Sequence, residues 1–273
     1  MENNFVIAYP NFSPDILSVG PIHIRWYGMM YILGFVFGYL LLKKRNEETG
    51  LKVDANFLMD FAFYLFVGVL LGGRIGYVLF YNPLVFAANP LEIFALHHGG
   101  MSFHGGLIGT IIAGYVFCWQ KGIHYYRMAD AVIPGIPIGL GLGRLGNFIN
   151  AELWGRPTDV SWAMVFPTDP AGLPRHPSQL YEFALEGVLI FTVLMLLRRL
   201  RLPQGFLFWT FFMLYGAARI TAEFFREPDA HLSFLFSQVT AGMVLSAPMV
   251  VIGGGMMLWL WFKQPRRSVE ASV

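Results

Sequence analysis

Arg74, Arg144 and Arg219 each stand inside a run of apolar and small residues. A guanidinium group presents a planar fork of donors that fits phosphate, and it stays charged at any physiological pH. Holding that charge at membrane depth costs roughly 2.5–3.5 kcal/mol on insertion scales, so such a residue faces a cavity, a partner or a ligand. Three of them in separate apolar stretches, in a chain with few charges, point to one buried site for something anionic.

Arg144 lies in Gly141-Leu-Gly-Arg-Leu-Gly-Asn-Phe-Ile-Asn-Ala-Glu-Leu-Trp-Gly-Arg156. Arg144 and Asn147 are three apart and share a helix face, and Glu152 follows near the end of the run. The glycines allow a lipid headgroup or a neighbouring helix to approach the backbone. A plainer alternative pairs Arg144 with Glu152 as a structural salt bridge. Tyr215, Arg219 and Glu223 recur every four residues and form one helical stripe, with Arg226 three further on. Here the plainer alternative is an intrahelical Arg219–Glu223 pair. His104 closes the segment His98-Gly-Gly-Met-Ser-Phe-His-Gly-Gly106. It titrates near neutral pH and suits a general base or a headgroup ligand. Two histidines six apart, with no cysteine or carboxylate at ligand spacing, make a poor metal site, and no metal is expected. Arg74 sits in a Gly68, Gly72, Gly76 stripe that suits close helix packing, and it has Glu182 or Glu186 as possible partners. Tyr27 reads as a belt tyrosine at the membrane interface.

The elements that must position these residues are membrane helices. Of the 273 residues 56% are hydrophobic and 13% charged, against about 25% charged in a soluble domain. A span needs roughly 20 mostly apolar residues. The sequence predicts an all-α polytopic membrane protein with seven transmembrane helices, near 26–42, 57–80, 103–120, 128–149, 180–197, 205–225 and 239–262. The fourth carries Pro134, Pro137 and several glycines, so it is expected to be kinked or partly unwound where it lines a cavity. Lys43, Lys44, Arg45, Lys52, Lys121, Arg127, Arg198, Arg199, Arg201, Lys263, Arg266 and Arg267 all fall on one side of a seven-span alternation. The positive-inside rule then puts the C-terminus in the cytoplasm and the N-terminus outside. Outside the spans, residues 83–99 are expected to form a short interfacial helix, and 151–178 a small external cap. The whole chain reads as one integral-membrane domain with a cytoplasmic tail over 264–273. No basic n-region precedes an apolar core, so no cleavable signal peptide is expected. A net charge of +2 gives no reason to expect nucleic acid, and the single Cys118 reads as packing.

With these motifs in view, the chain closely resembles the bacterial phosphatidylglycerol–prolipoprotein diacylglyceryl transferases. The resemblance runs over nearly the whole chain. It is carried by residues 98–106 and 143–156, by Arg-His-Pro-Ser-Gln-Leu-Tyr-Glu at 175–182 and by Tyr-Gly-Ala-Ala-Arg at 215–219. Ala151 stands where some members have glycine. The resemblance implies a multi-pass enzyme of the bacterial inner membrane with a periplasmic N-terminus. It implies transfer of the diacylglyceryl group of phosphatidylglycerol to the lipobox cysteine of a prolipoprotein signal peptide, with release of glycerol 1-phosphate. Arg144 and Arg219 become essential arginines, and His104 becomes the candidate base. Tyr27, Asn147, Glu152, Tyr215 and Glu223 become substrate-binding or supporting positions. The reaction calls for no metal, nucleotide or other cofactor. A transporter or scramblase for anionic lipids would also want buried arginines and a broken helix, and it remains the alternative that flux without chemistry would reveal.

Overall fold

A chain in lipid must satisfy its backbone N–H and C=O groups within each segment, and helices do so. The computed structural model, which describes residues 6–10, 12–20, 22–80, 86, 89–95, 100–227 and 239–263, is accordingly mostly helical. The described helices begin with α1 (Trp26–Glu48), α2 (Ala55–Phe80), α3 (Phe103–Gln120), the short α4 (Tyr125–Val132) and α5 (Ile136–Ile149). After them come α6 (Ser178–Glu182), α7 (Ile190–Leu197), α8 (Phe206–Glu223) and α9 (Ala241–Lys263). Among the described residues, five helical segments are long and apolar enough to cross a membrane: Trp26–Glu48, Ala55–Leu79, Tyr125–Ile149, Ser178–Leu197 and Gly242–Lys263. The protein is a multi-pass helical membrane protein. The remaining two predicted spans correspond to α3 and α8, helices of 18 residues each.

The chain divides into two compact units, Met1–Leu42 with Val132–Val273, and Lys43–Ala131. In the second unit α2 and α3 cross on glycine. A methyl group on Gly76 would lie 2.8 Å from the Cα of Gly105, and one on Gly72 would lie as close to the Cα of Gly109. The predicted small-residue stripe is thus a packing surface. Arg45, near the end of α1, is buried and donates to the carbonyls of Asp130 and Ala131 at 2.9 and 3.0 Å. These carbonyls belong to the last turn of α4, where a cation complements the helix dipole.

In the first unit the predicted break in the fourth span is present. A 3-10 turn over Ile133–Gly135, with Pro134 inside it, separates α4 from α5. Proline has no N–H to continue the ladder, so the helix changes winding there. Gly34 of α1 meets Gly139 of α5, where a methyl group would stand 3.0 Å from the Gly139 Cα. Between α6 and α7 the residues Phe183–Leu189 are wound as a π-helix. The helices α8 and α9 pack through Gly216 and Gly253.

Residues 151–178 fold against the end of α5. Phe148, Ala151, Met164 and Phe166 form a buried cluster flanked by Tyr9, Trp154 and Leu180. Three short strands, β1 (Ile7–Ala8), β4 (Met164–Val165) and β5 (Pro174–Arg175), make a sheet in the order β1-β4-β5. Arg175 clamps it with both donors of one edge on Asp169, at 2.6 and 3.1 Å, while its guanidinium lies 3.8 Å from the Trp154 ring centre. That guanidinium holds the Asp169 carboxyl below its ordinary value. A separate hairpin, β2 (Asp15–Val19) with β3 (Ile22–Arg25), leads into α1. Ala151 has a φ of 55°, a conformation glycine adopts without strain.

Of the predicted interfacial helix over 83–99, the described residues show a 3-10 turn, Pro90–Phe94, with Leu91 and Phe94 exposed. His98 and the tail 264–273 lie outside the described residues.

Candidate functional site

The site begins with two glycines. Gly141 of α5 and Gly187 of the π-helical segment touch backbone to backbone, and a methyl group on Gly187 would stand 2.9 Å from the Gly141 Cα. That approach sets the position one turn beyond Gly141, Arg144, against the position just before Gly187, Glu186. The wider turn of a π-helix is a frequent mark of functional sites, and here Glu182 and Glu186 bracket its first turn.

Arg144 donates through Nε and Nη2 to Glu186 Oε2, both at 3.2 Å. Its Nη2 also lies 2.9 Å from Glu182 Oε2. Arg219 of α8 donates from Nη1 to the same Glu182 oxygen at 2.9 Å, and its Nη2 lies 2.5 Å from Glu223 Oε1. Four elements therefore converge on one chain of alternating charge, Glu186–Arg144–Glu182–Arg219–Glu223. The side chains of Glu182 and Glu186 are 0% exposed, whereas those of Arg144 and Arg219 keep 17% and 14%. The arginines are the accessible members. Tyr215, one turn before Arg219, is buried and its ring stacks on Phe211 at 5.8 Å.

A second cluster adjoins through α5 and α6. Asn147 donates to Glu152 Oε1 at 2.8 Å, and Asn150 donates to the same oxygen at 3.4 Å. Gln179 donates to the Glu152 carbonyl at 2.7 Å. Tyr27 lies against Gly146, whose added methyl would stand 3.0 Å from its ring, and its hydroxyl is 2.9 Å from that of Tyr31. Arg156 donates to the carbonyls of Arg226 and Glu223 at 2.9 and 3.1 Å and so ties the folded loop to the end of α8. Beside it, His176 Nδ1 is 3.1 Å from the Tyr181 hydroxyl, and burial lowers the His176 pKa.

Tyr27, Arg144, Asn147, Glu152, Tyr215, Arg219 and Glu223 thus all belong to one unit. His104 belongs to the other. It is the second residue of α3, half-buried, next to the cap made by Ser102 Oγ, which accepts from the Gly105 N–H at 3.2 Å. Of three pairings read from sequence, one forms and two resolve differently. The Arg144–Glu152 pair is replaced by Arg144 with Glu186 and Glu182, because the Gly141–Gly187 crossing brings those carboxylates alongside. The Arg219–Glu223 pair does form. Arg74 takes backbone carbonyls in place of Glu182 or Glu186: it donates to Ile93 at 2.8 Å and Gly100 at 3.0 Å, and also to Glu92 and Ala95.

The residues that sequence reasoning left out of the site are Glu182 and Glu186. The signal for them was available. Two carboxylates four apart in an apolar span carry the same burial cost as the arginines, and a buried charge implies a partner. The family model for prolipoprotein diacylglyceryl transferases matches residues 14–259. Relatives named phosphatidylglycerol–prolipoprotein diacylglyceryl transferase include one from Aeromonas hydrophila, 46% identical over 97% of this chain and 96% of its own length. Another, from Geobacter sulfurreducens, is 49% identical over 90% of this chain and 95% of its own. A third, from Pseudomonas syringae, is 46% identical over 98% of this chain and the whole of its own. On this agreement from end to end, the chain belongs to the prolipoprotein diacylglyceryl transferase family.

Proposed function

We propose that this protein transfers the diacylglyceryl group of phosphatidylglycerol to the lipobox cysteine thiol of a prolipoprotein. The cysteine sulfur forms a bond to the glycerol carbon that carries the phosphoester oxygen. The carbon–oxygen bond breaks, and glycerol 1-phosphate leaves with the electron pair. The products are a thioether-linked lipoprotein precursor and glycerol 1-phosphate. The enzyme works in the bacterial inner membrane with seven crossings, the N-terminus in the periplasm and the C-terminus in the cytoplasm. The segment 151–178 is a periplasmic cap.

The observation that carries this reading is the pairing of Arg144 with Arg219 through Glu182, two cations joined inside an apolar unit. A phosphodiester gains charge as it becomes a departing monoester, and donors already in place stabilise that charge without reorganising. Arg144 Nη1 and Arg219 Nε have no partner among the described residues, which leaves donors for phosphate. A thiol of pKa about 8.5 is mostly protonated at neutral pH, so a base speeds attack. His104 takes that role, and Asn147, Glu152, Tyr27, Tyr215 and Glu223 line or brace the lipid site.

The deciding experiment mixes purified protein with phosphatidylglycerol and a lipobox peptide. Wild type should yield thioether product and free glycerol 1-phosphate, and Arg144→Ala should yield at least about 100-fold less of both. Lipid movement between leaflets without product, in a folded preparation, would replace this reading with an anionic-lipid scramblase. Replacing His104 with glutamine should remove most transfer while lipid binding persists; full activity would remove His104 from the role of base.

A further inference from the structure

Among the carboxylates of the site, Glu182 differs from its neighbours. Among the described residues the direct ion pair of Glu186 is with Arg144, and that of Glu223 is with Arg219, from within the same helix. Glu182 Oε2 lies 2.9 Å from a guanidinium nitrogen of each arginine, accepts a hydrogen bond from Arg219, and links α5 to α8 across the end of α6. Two guanidinium groups held this close repel one another. Among the described residues Glu182 is the one anion that bridges them. It is fully buried while both arginines remain partly exposed, so an arriving headgroup meets the arginines and not this carboxylate. Its other oxygen, Oε1, is buried without a partner among the described residues, as is Oε1 of Glu186. Such a group is costly to keep as packing alone.

We infer that Glu182 is a positioning residue. It sets the spacing and orientation of Arg144 and Arg219 so that both engage a single phosphate group, first as a phosphodiester and then as the departing monoester. Glu182 touches neither the lipid nor the thiol and acts through the two arginines. This rests on the assignment of Arg144 and Arg219 to the phosphate.

The test is steady-state transfer by full-length protein in phosphatidylglycerol-containing nanodiscs. It compares wild type, Glu182→Gln, Glu182→Asp, Glu186→Gln and Arg144→Ala, alone and combined with Glu182→Gln. Glu182→Gln should lower kcat on the order of 100-fold, as loss of a preorganised electrostatic group does, with KM for phosphatidylglycerol changed only a few-fold. Glu182→Asp keeps the charge but draws it back by one methylene, and it should stay impaired. Glu186→Gln should lose less than Glu182→Gln. In the Arg144→Ala background Glu182→Gln should add almost nothing, because residues acting as a unit are not additive. Melting temperatures measured alongside separate folding from chemistry, and if the glutamine variant does not fold, the aspartate variant carries the comparison. Near-wild-type kcat in a folded Glu182 variant would overturn the proposal, as would fully additive losses with Arg144→Ala. Absence of transfer by the wild type would instead fail the transferase reading, an outcome distinct from either.

Discussion

Arg74 and Arg144 are both largely withdrawn from solvent inside apolar helices, and both are flanked by glycines, yet they are held in opposite ways. Arg74 directs its donors at backbone carbonyls of Glu92, Ile93, Ala95 and Gly100, and its guanidinium lies 5.2 Å from the Phe86 ring centre. Arg144 is held by two carboxylates and keeps part of its surface open. Carbonyl dipoles satisfy a guanidinium and fix a loop at the same time. Carboxylates orient a guanidinium while leaving a charged face for another anion to address. The comparison teaches that a buried arginine is identified by its partners and not by its depth. Arg74 fastens the stretch that runs from α2 to the start of α3, where the Ser102 N–H donates to the Gly73 carbonyl at 2.8 Å.

The largest expected effect breaks the comparison at Arg144. Arg144→Ala should cost about 100- to 1,000-fold in kcat/KM, the range for removing one preplaced transition-state donor. Arg144→Lys should recover little of this, because an ammonium lacks the planar fork. Product formation per folded molecule is the measurement. Activity retained by the lysine variant within a few-fold would mean that charge alone suffices and would weaken the contrast.

Arg74→Ala should act on stability. It leaves several partly buried carbonyls without their donor, and an unsatisfied group costs up to about 1–3 kcal/mol when buried. Thermal unfolding in detergent should begin several degrees lower, as a cost of a few kcal/mol brings about at this chain size. Transfer per folded molecule should fall far less than for Arg144→Ala. An intact melting temperature with abolished transfer would reverse the assignment and make Arg74 the functional arginine.

A glycine on each side sharpens the contrast further. Gly187→Ala forces a methyl to 2.9 Å from the Gly141 Cα, and Gly76→Ala forces one to 2.8 Å from the Gly105 Cα. Overpacking of this kind costs about 1–3 kcal/mol in either place. Only the first pushes Arg144 away from Glu186 and Glu182. The two variants should therefore melt alike, while Gly187→Ala loses the greater share of kcat. Equal losses of kcat would show that the Gly141–Gly187 crossing does not set the arginine geometry.

Much of this was legible in the residues. The broken fourth span followed from Pro134, the α2 packing face from Gly68, Gly72 and Gly76, and the Arg219–Glu223 pair from a spacing of four. These are local rules, in which chain spacing fixes spatial relation. The partners of Arg144 and Arg74 were not legible, since each depends on which helices cross. Glu152 was the near carboxylate in sequence, but the Gly141–Gly187 contact placed Glu186 and Glu182 nearer in space. The π-helical winding of Phe183–Leu189 has no proline, and its one glycine, Gly187, does not announce it; it sits where the two glutamates must present themselves to two different helices.

The smallest effect tests the folded loop, where an arginine–carboxylate pair lies outside the membrane spans. Arg175 and Asp169 form the two-bond contact that Arg144 and Glu186 approximate, with Trp154 stacked above and no open face. If open surface marks the functional pair, this closed pair should matter for stability alone. The hydrogen bond from Arg175 draws the Asp169 pKa below its ordinary value. Its contribution is therefore complete above the usual carboxylate range and disappears as pH falls through the lowered value. Asp169→Asn should destabilise the protein by about 1–2 kcal/mol near neutral pH, as expected for a charge-assisted contact. The gap in melting temperature between variant and wild type should narrow as the buffer is taken from pH 7 toward pH 3. A gap that stays constant over that range would mean the pair contributes through shape and packing against Trp154, with the charge of Asp169 immaterial.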